Sequence, residues 1–426
     1  MTRSFHYAWI VLLLCFITLL TAQGVRLSFG AFMTPWESSF ATDRSVISLV
    51  AMLSYLIYGL MQPVVGKLAD RYGVRIVYAG SVLVVGVATL GTFFAQETWQ
   101  LVLLYGVLAS FGFGGASNVA GSVAVTNWFA KKRGFAIGLM SAGTAAGQFL
   151  MVPLSLFLIE WVGWRQAVLV LGAFLCCVVL PLVWIFLRTS PQEKGLSALG
   201  QVQEQAPVSQ TKQESVKATP SFFHIMRTKR FWYLALPFFI CGVTTSGLID
   251  THLIAFTELC GFSTGSTGTA VGLLAACNIA GTVLAGLVAD RWRCGSFLAL
   301  LYLTRALSLV LLVFLPGLPS VTLLLVFSTV FGLVDFATVA PTIKQASDFF
   351  QAKVSVGVVI GWLFLSHQMG SALGSYLPGL LYDLTGGYSM TFFYAIGLCV
   401  IASLLSYSLP DSTTDRTQQE KESLAT

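Results

Sequence analysis

Apolar positions along this chain neither alternate nor keep to one helical face. They run on for some twenty residues or more and are then cut by short polar breaks. Twelve such runs predict helices at 7–33, 45–66, 75–95, 99–127, 133–158, 163–187, 231–256, 268–289, 296–315, 320–345, 354–381 and 389–409. Each is about long enough to cross a ~30 Å hydrocarbon layer. The first run continues through Gln23-Gly24-Val25-Arg26 to Phe32 with no small-residue cleavage site, so it reads as a retained span rather than a signal peptide. One long polar stretch, Thr189 to Lys229, is rich in Gln, Ser, Lys and Glu and reads as a linker, with a surface helix expected near Phe222–Met226. The predicted organisation is a six-helix bundle at 1–188, a linker at 189–230, a second six-helix bundle at 231–410 and a tail at 411–426.

The polar breaks carry a repeat. Gly66-Lys67-Leu68-Ala69-Asp70-Arg71-Tyr72-Gly73-Val74-Arg75 follows the second run, and 220 positions later Gly286-Leu287-Val288-Ala289-Asp290-Arg291-Trp292-Arg293 follows the eighth. Gly138 and Gly147 on span 5 recur as Gly361 and Gly370 on span 11, 223 positions on, and Gly112 recurs as Gly332. Six spans repeated in one orientation predict an all-α membrane protein of two pseudo-symmetric lobes around a central cavity.

Composition sharpens this. Hydrophobic residues make up 56% of the chain and charged residues 10%, with a mean hydropathy of +0.80. Soluble domains carry roughly 25% charged residues, so this chain lacks the polar surface to face water all round. Its net charge of +6 reflects topology rather than nucleic-acid binding. Loops on one side hold Lys67, Arg71, Arg75, Lys131, Lys132, Arg133, Arg291, Arg293, Lys344 and Lys353, while those on the other hold only Arg44 and Arg165. By the positive-inside rule both termini are expected in the cytoplasm. The eight cysteines show no CxxC or Cys/His metal spacing and read as small packing residues. No metal or cofactor is expected. Nor is there a Walker-type loop, an HExxH motif or a nucleophile–His–acid cluster, which argues against an enzyme or an ATP-driven pump.

Taken together, these features resemble the major facilitator superfamily over essentially the whole chain. Trp128-Phe129-Ala130-Lys131-Lys132-Arg133-Gly134-Phe135-Ala136-Ile137-Gly138, continuing to Ala142-Gly143, resembles the span 4–5 signature of its monocarboxylate transporter and oxalate/formate antiporter branch. Tyr7-Ala8-Trp9 and Gly112-Phe113-Gly114-Gly115 fit the same branch. The resemblance implies a monomeric secondary transporter in the cell (inner) membrane, moving a small organic anion with protons by alternating access. One departure stands out. Animal-type members of the branch carry an Asp and a substrate-holding Arg four residues apart on span 8, where this chain has Asn278 and Thr282. That separates it from a plain lactate or pyruvate carrier.

An ionisable group inside a span costs several kcal/mol, so each needs a partner or a task. Arg26 and Asp250 each lie 19 residues into their spans, 1 and 7, at like depths of roughly 28 Å. Arg26 is the candidate anion holder, with a lysine at about this position in the branch, and Asp250 the candidate proton carrier competing for it; a permanent gate ion pair is the alternative. His252 lies about 200° around the helix from Asp250 and is a candidate proton relay. Arg305 and Asp335 read as a structural charge pair, with Asp335 as a coupling carboxylate the other reading. His367 and Asn118 are candidate substrate contacts or helix-packing groups. Tyr55 and Tyr58 read as packing or lipid-facing residues. Asp70-Arg71 and Asp290-Arg291 are expected to act as cytoplasmic latches, their carboxylates capping neighbouring helix ends in one state. Two other functions fit less well: export of amphipathic drugs or metal-chelating metabolites, and a non-transporting sensor signalling through the 189–230 linker.

Overall fold

The computed structural model describes residues 6–200, 226–289, 291–350 and 356–409. Twelve long helices run through them: α1 (Ala8–Phe40), α2 (Arg44–Tyr72), α3 (Val74–Thr92), α4 (Thr98–Trp128), α5 (Phe135–Val162), α6 (Trp164–Phe186), α7 (Lys229–Leu259), α8 (Thr264–Ala289), α9 (Cys294–Phe314), α10 (Val321–Phe350), α11 (Val356–Thr385) and α12 (Ser389–Tyr407). Eleven of them, α1–α10 and α12, are both long and apolar enough to cross a membrane among the described residues. Helix α11 is 30 residues long, more than a span needs.

Several helices outrun their predicted ends. The charged Lys67–Tyr72 segment, expected in a loop, forms the last turns of α2, and the reversal is left to Gly73 at φ 83°. A residue with a Cβ is strained there, so glycine allows the turn to be one residue long. Just past α6 the chain doubles back: Leu199 N–H donates to Trp128 O at 2.8 Å, and Ala130 N–H donates to Leu199 O at 3.0 Å. The surface helix expected at Phe222–Met226, apart from Met226, and the tail at 411–426 lie outside the described residues.

The repeated glycines pack equivalent helices together. A Cβ on Gly147 of α5 would run into the main chain of α1 at Leu20 and Gly24, and one on Gly370 of α11 would run into α7 at Phe239. Each lobe thus pins its first helix to its fifth by close backbone approach. The lobes meet where α2 lies along α11 and α5 along α8. The α2–α11 seam is tight from the middle of α2, where Gly59 abuts Gln368, to the end remote from the chain termini, where Gly379 abuts Ser48, while Gly268 of α8 is in ordinary contact with Leu156 of α5. Towards the other end a Cβ on Gly138 of α5 or Gly361 of α11 would meet nothing within 4 Å, and a groove of about 230 Å³ runs along α2 itself, lined by Pro63, Val64, Lys67, Leu68, Arg71 and Tyr72.

Candidate functional site

Two helices break inside the membrane region. Helix α4 stops at Gly115, leaves helical geometry at Ala116 (ψ 57°) and Ser117 (ψ 168°), and restarts at Asn118. Helix α10 stops at Val334 and passes through a tight turn at Phe336–Thr338 before resuming. Each break leaves carbonyls that cannot find a partner in their own helix, and lipid offers none.

In the N-terminal lobe the donor is neutral. Gln23 Nε2 donates to Phe113 O at 3.0 Å and to Ala116 O at 2.6 Å, and Gln23 Oε1 accepts from Arg26 Nε at 2.8 Å. The Arg26 guanidinium is half-buried. Its carbon lies 4.5 Å from the Tyr58 ring centre and 5.3 Å from that of Tyr55. Such stacking offsets part of the cost of a desolvated cation, at about 0.5–2 kcal/mol per ring. Both tyrosines, read from the sequence as packing or lipid-facing groups, are therefore part of the Arg26 site. Neither Nη group of Arg26 has a hydrogen-bond partner among the described residues.

Asp250 faces this site from the other lobe. Gln148 Nε2 on α5 donates to Asp250 Oδ1 at 2.8 Å, while Oδ2 is buried without a hydrogen-bond partner among the described residues. Tyr55 ties the two sides together. Its ring lies beneath Arg26 and its hydroxyl donates to Ser246 O at 2.9 Å, one turn before Asp250. Arg26 is close enough for its charge to act on Asp250, yet the two form no ion pair among the described residues. The geometry is that of an acid and a cation held apart across the lobe junction. A small cavity of about 10 Å³, roughly the room one water needs, adjoins Asp250 and Gln148.

Other candidates fall elsewhere. Arg305 does not pair with the Asp335 side chain. Its Nη2 donates to Val334 O at 2.7 Å and Asp335 O at 2.5 Å, and its Nη1 to Thr244 Oγ1 at 3.3 Å. The helix break explains the difference, because the orphaned carbonyls claim the guanidinium before the carboxylate does. The Asp335 carboxylate instead accepts from Asn278 Nδ2 at 2.9 Å, and Thr282 Oγ1 donates to Asn278 Oδ1 at 3.2 Å. The two α8 positions that carry Asp and Arg in the resembling branch are thus taken up in holding Asp335.

His367 is buried at the α7–α11 seam, its ring 4.8 Å from that of Phe238, with Nδ1 3.5 Å from Ser371 Oγ on its own helix. It sits in helix packing, with Nε2 buried and without a hydrogen-bond partner among the described residues. Asn118 is exposed at the restart of α4. Asp70 is exposed and has no hydrogen bond or ion pair among the described residues, and the Arg71 guanidinium stands over Tyr72 at 5.2 Å. Arg291 is also exposed, and Asp290 lies outside the described residues.

His252 belongs to a second polar cluster at the end remote from the termini. Nε2 lies 2.7 Å from Ser375 O, which can only accept, so Nε2 carries the proton and Nδ1 accepts from Tyr388 OH at 3.0 Å. Arg44 Nη1 donates to that same hydroxyl at 3.1 Å and pairs with Glu37 through two bonds of 2.7 and 2.9 Å. Asp383 of α11 accepts from the Arg44 and Ser45 N–H groups at 3.2 and 2.8 Å, capping the N-terminus of α2. His252 is thus fixed in a cross-lobe latch, facing away from Asp250.

Gln23 and Gln148 are not among the residues singled out from the sequence, most of which are charged or histidine. Their signal was present: each is a buried amide inside an apolar run, and such a group must find a hydrogen-bond partner.

The comparisons agree with this architecture. The family model of the Major Facilitator Superfamily matches residues 14–358. An uncharacterized MFS-type transporter, YcxA of Bacillus subtilis (strain 168), is 27% identical over 94% of this chain and 94% of its own. Monocarboxylate transporter 12 of Xenopus laevis is 25% identical over 95% of this chain and 90% of its own. Among solved structures, a bacterial homologue of the human lysosomal transporter Spinster, in an inward-facing and unoccupied conformation, matches the fold with a TM-score of 0.76. It is 18% identical and covers 97% of this chain and 98% of its own. Two six-helix lobes meeting at a shared polar junction, together with a family match spanning most of the sequence, make this chain a member of the major facilitator superfamily of membrane transporters.

Proposed function

We propose that the protein carries a small organic anion, a monocarboxylate, together with a proton. The observation that carries this reading is Arg26: a cation over two tyrosine rings, with Nε occupied and both Nη groups without partners among the described residues. A guanidinium presented in this way suits a carboxylate bound through two parallel hydrogen bonds. Asp250, with one unpartnered oxygen across the junction, serves as the proton carrier. When the anion occupies Arg26, a proton on Asp250 removes the like-charge repulsion between the two carboxylates. The similarity to proteins named monocarboxylate transporter 12 supports the substrate class.

The lobes are latched at the end remote from the termini, while towards the other end Gly138 of α5 and Gly361 of α11 face open space. With both termini in the cytoplasm, as the loop charges suggest, this is an inward-open state. Alternating access then requires the Arg44–Tyr388–His252 latch to open while the opposite end closes.

Uptake into proteoliposomes under an inward proton gradient tests the reading. At least one of a panel of labelled mono- and dicarboxylates should accumulate, and Asp250→Asn should abolish the dependence on the gradient. If no acid in the panel accumulates, the anion assignment falls. Energised efflux of a dye or metal chelator in its place would support the exporter reading.

A further inference from the structure

Gln23 lies one turn before Arg26 on α1, is 1% exposed, and uses both ends of its amide. The orientation of that amide follows from its partners. The carbonyls of Phe113 and Ala116 only accept, so they face the NH₂ group, and Arg26 Nε–H only donates, so it faces the oxygen. Few side chains could do both. Glutamate would accept from Arg26 but could not bond the carbonyls. Lysine would bond the carbonyls but repel Arg26, and methionine would do neither.

We propose that Gln23 is the positioning residue of the anion site: its amide holds Arg26 by Nε, leaves both Nη groups for the anion, and ties that grip to the break in α4. Without it, Nε would compete for the same acceptors as the Nη groups and the guanidinium could turn between the Tyr55 and Tyr58 faces. The tie also gives Arg26 a mechanical link to the α4 break, where Ala116 N–H donates to Gly112 O at 2.9 Å and Gly121 N–H to Ser117 O at 3.2 Å. Those two bonds close the helix on either side of the break, so any change in how Arg26 is held is felt where the α4 backbone leaves helical geometry, at Ala116 and Ser117.

This inference rests on the reading of Arg26 as the anion holder, and the experiment separates the two. Full-length protein labelled with ¹⁵N-arginine gives an Arg26 Nε–H resonance, identified by its disappearance in Arg26→Met. In Gln23→Met that resonance should move and its exchange with water should speed up at least about tenfold, while hydrogen exchange at Ala116 also rises. In Gln23→Glu, which keeps the acceptor and loses the donor, the slow exchange of Arg26 Nε–H should be retained while Ala116 still loses protection. A purely structural cap for α4 would alter Ala116 in both variants and leave the arginine resonance untouched in both; that result overturns the proposal. Should Gln23→Met fail to fold, Gln23→Glu decides alone, since fast exchange at Arg26 Nε–H in that variant contradicts the grip. If Arg26→Met transports normally, the anion-site reading fails while the grip of Gln23 on Arg26 still stands or falls by the resonance.

Discussion

The two lobes meet the same difficulty with different chemistry. Each has a broken fourth helix whose carbonyls need donors inside the membrane, in α4 at Phe113 and Ala116 and in α10 at Val334 and Asp335. The N-terminal lobe answers with the neutral amide of Gln23, and its cation, Arg26, keeps two free donor groups. In the C-terminal lobe the answer is Arg305, fully buried and committed to the backbone and Thr244. One arginine is consumed by the fold and the other is left available. Charge inside a membrane protein is therefore no guide to function until its partners are counted.

The largest effect expected from this contrast is on stability. Arg305→Leu leaves two buried carbonyls without donors, at about 1–3 kcal/mol each, so unfolding in mixed micelles should fall by roughly 2–6 kcal/mol. Arg305→Gln supplies a neutral donor, as Gln23 does for α4, and should restore part of that loss. If Arg305→Leu melts like the wild type, the backbone role is wrong. Arg26→Met should do the reverse: uptake should fall about thirtyfold or more, from the ~2 kcal/mol or greater cost of removing one partner of a charge-assisted contact. Unfolding should change by under about 1 kcal/mol. Equal losses of stability in both variants would erase the distinction between the lobes.

Much of this was legible in the sequence, for physical reasons. Apolar runs cut by charged turns gave the twelve helices because a bilayer demands length and composition before anything else. Arg26, Asp250, Arg305 and Asp335 stood out because a charge in such a run is costly. Their partners did not. The α4 and α10 breaks leave no periodicity signal, although Gly112-Phe113-Gly114-Gly115 hinted at the first. Without the second break, pairing Arg305 with the nearest carboxylate was the natural inference. Tyr55 and Tyr58 look like lipid-facing aromatics unless the cation they stack on is seen. The α11 polar patch, read through His367 as a substrate contact or a helix-packing group, lies at the α7–α11 seam.

A smaller effect is expected where the lobes touch directly. Tyr388 OH joins Arg44 of one lobe to His252 of the other. Tyr388→Phe removes the acceptor of Arg44 Nη1, the bond that crosses between the lobes, costing the latched state about 1–3 kcal/mol, whereas the His252 bond lies within one lobe and is lost in either state. Spin labels at positions 43 and 385, in a cysteine-depleted background, should then report a larger fraction of long distances by double electron–electron resonance. An unchanged distance distribution would show that the Glu37–Arg44 pair and the Asp383 cap hold this end without help from the hydroxyl.

Asp70 offers the mildest and most discriminating comparison, because it sits at the end of α2 remote from the latch. Here its carboxylate is exposed and unpartnered among the described residues, so Asp70→Asn should change the stability of this state by less than about 0.5 kcal/mol, as is usual for surface positions. A latch that engages only when this end closes would lose its charge, and each transport cycle must pass through that closed state. Uptake should therefore slow several-fold while the protein still reaches the membrane in normal amount, and the lobes should dwell longer in the conformation described here. A normal rate for Asp70→Asn would mean that the closed end is held by other groups. The repeated Asp-Arg motif would then mark the ancestry of the two lobes and not a working part of the cycle.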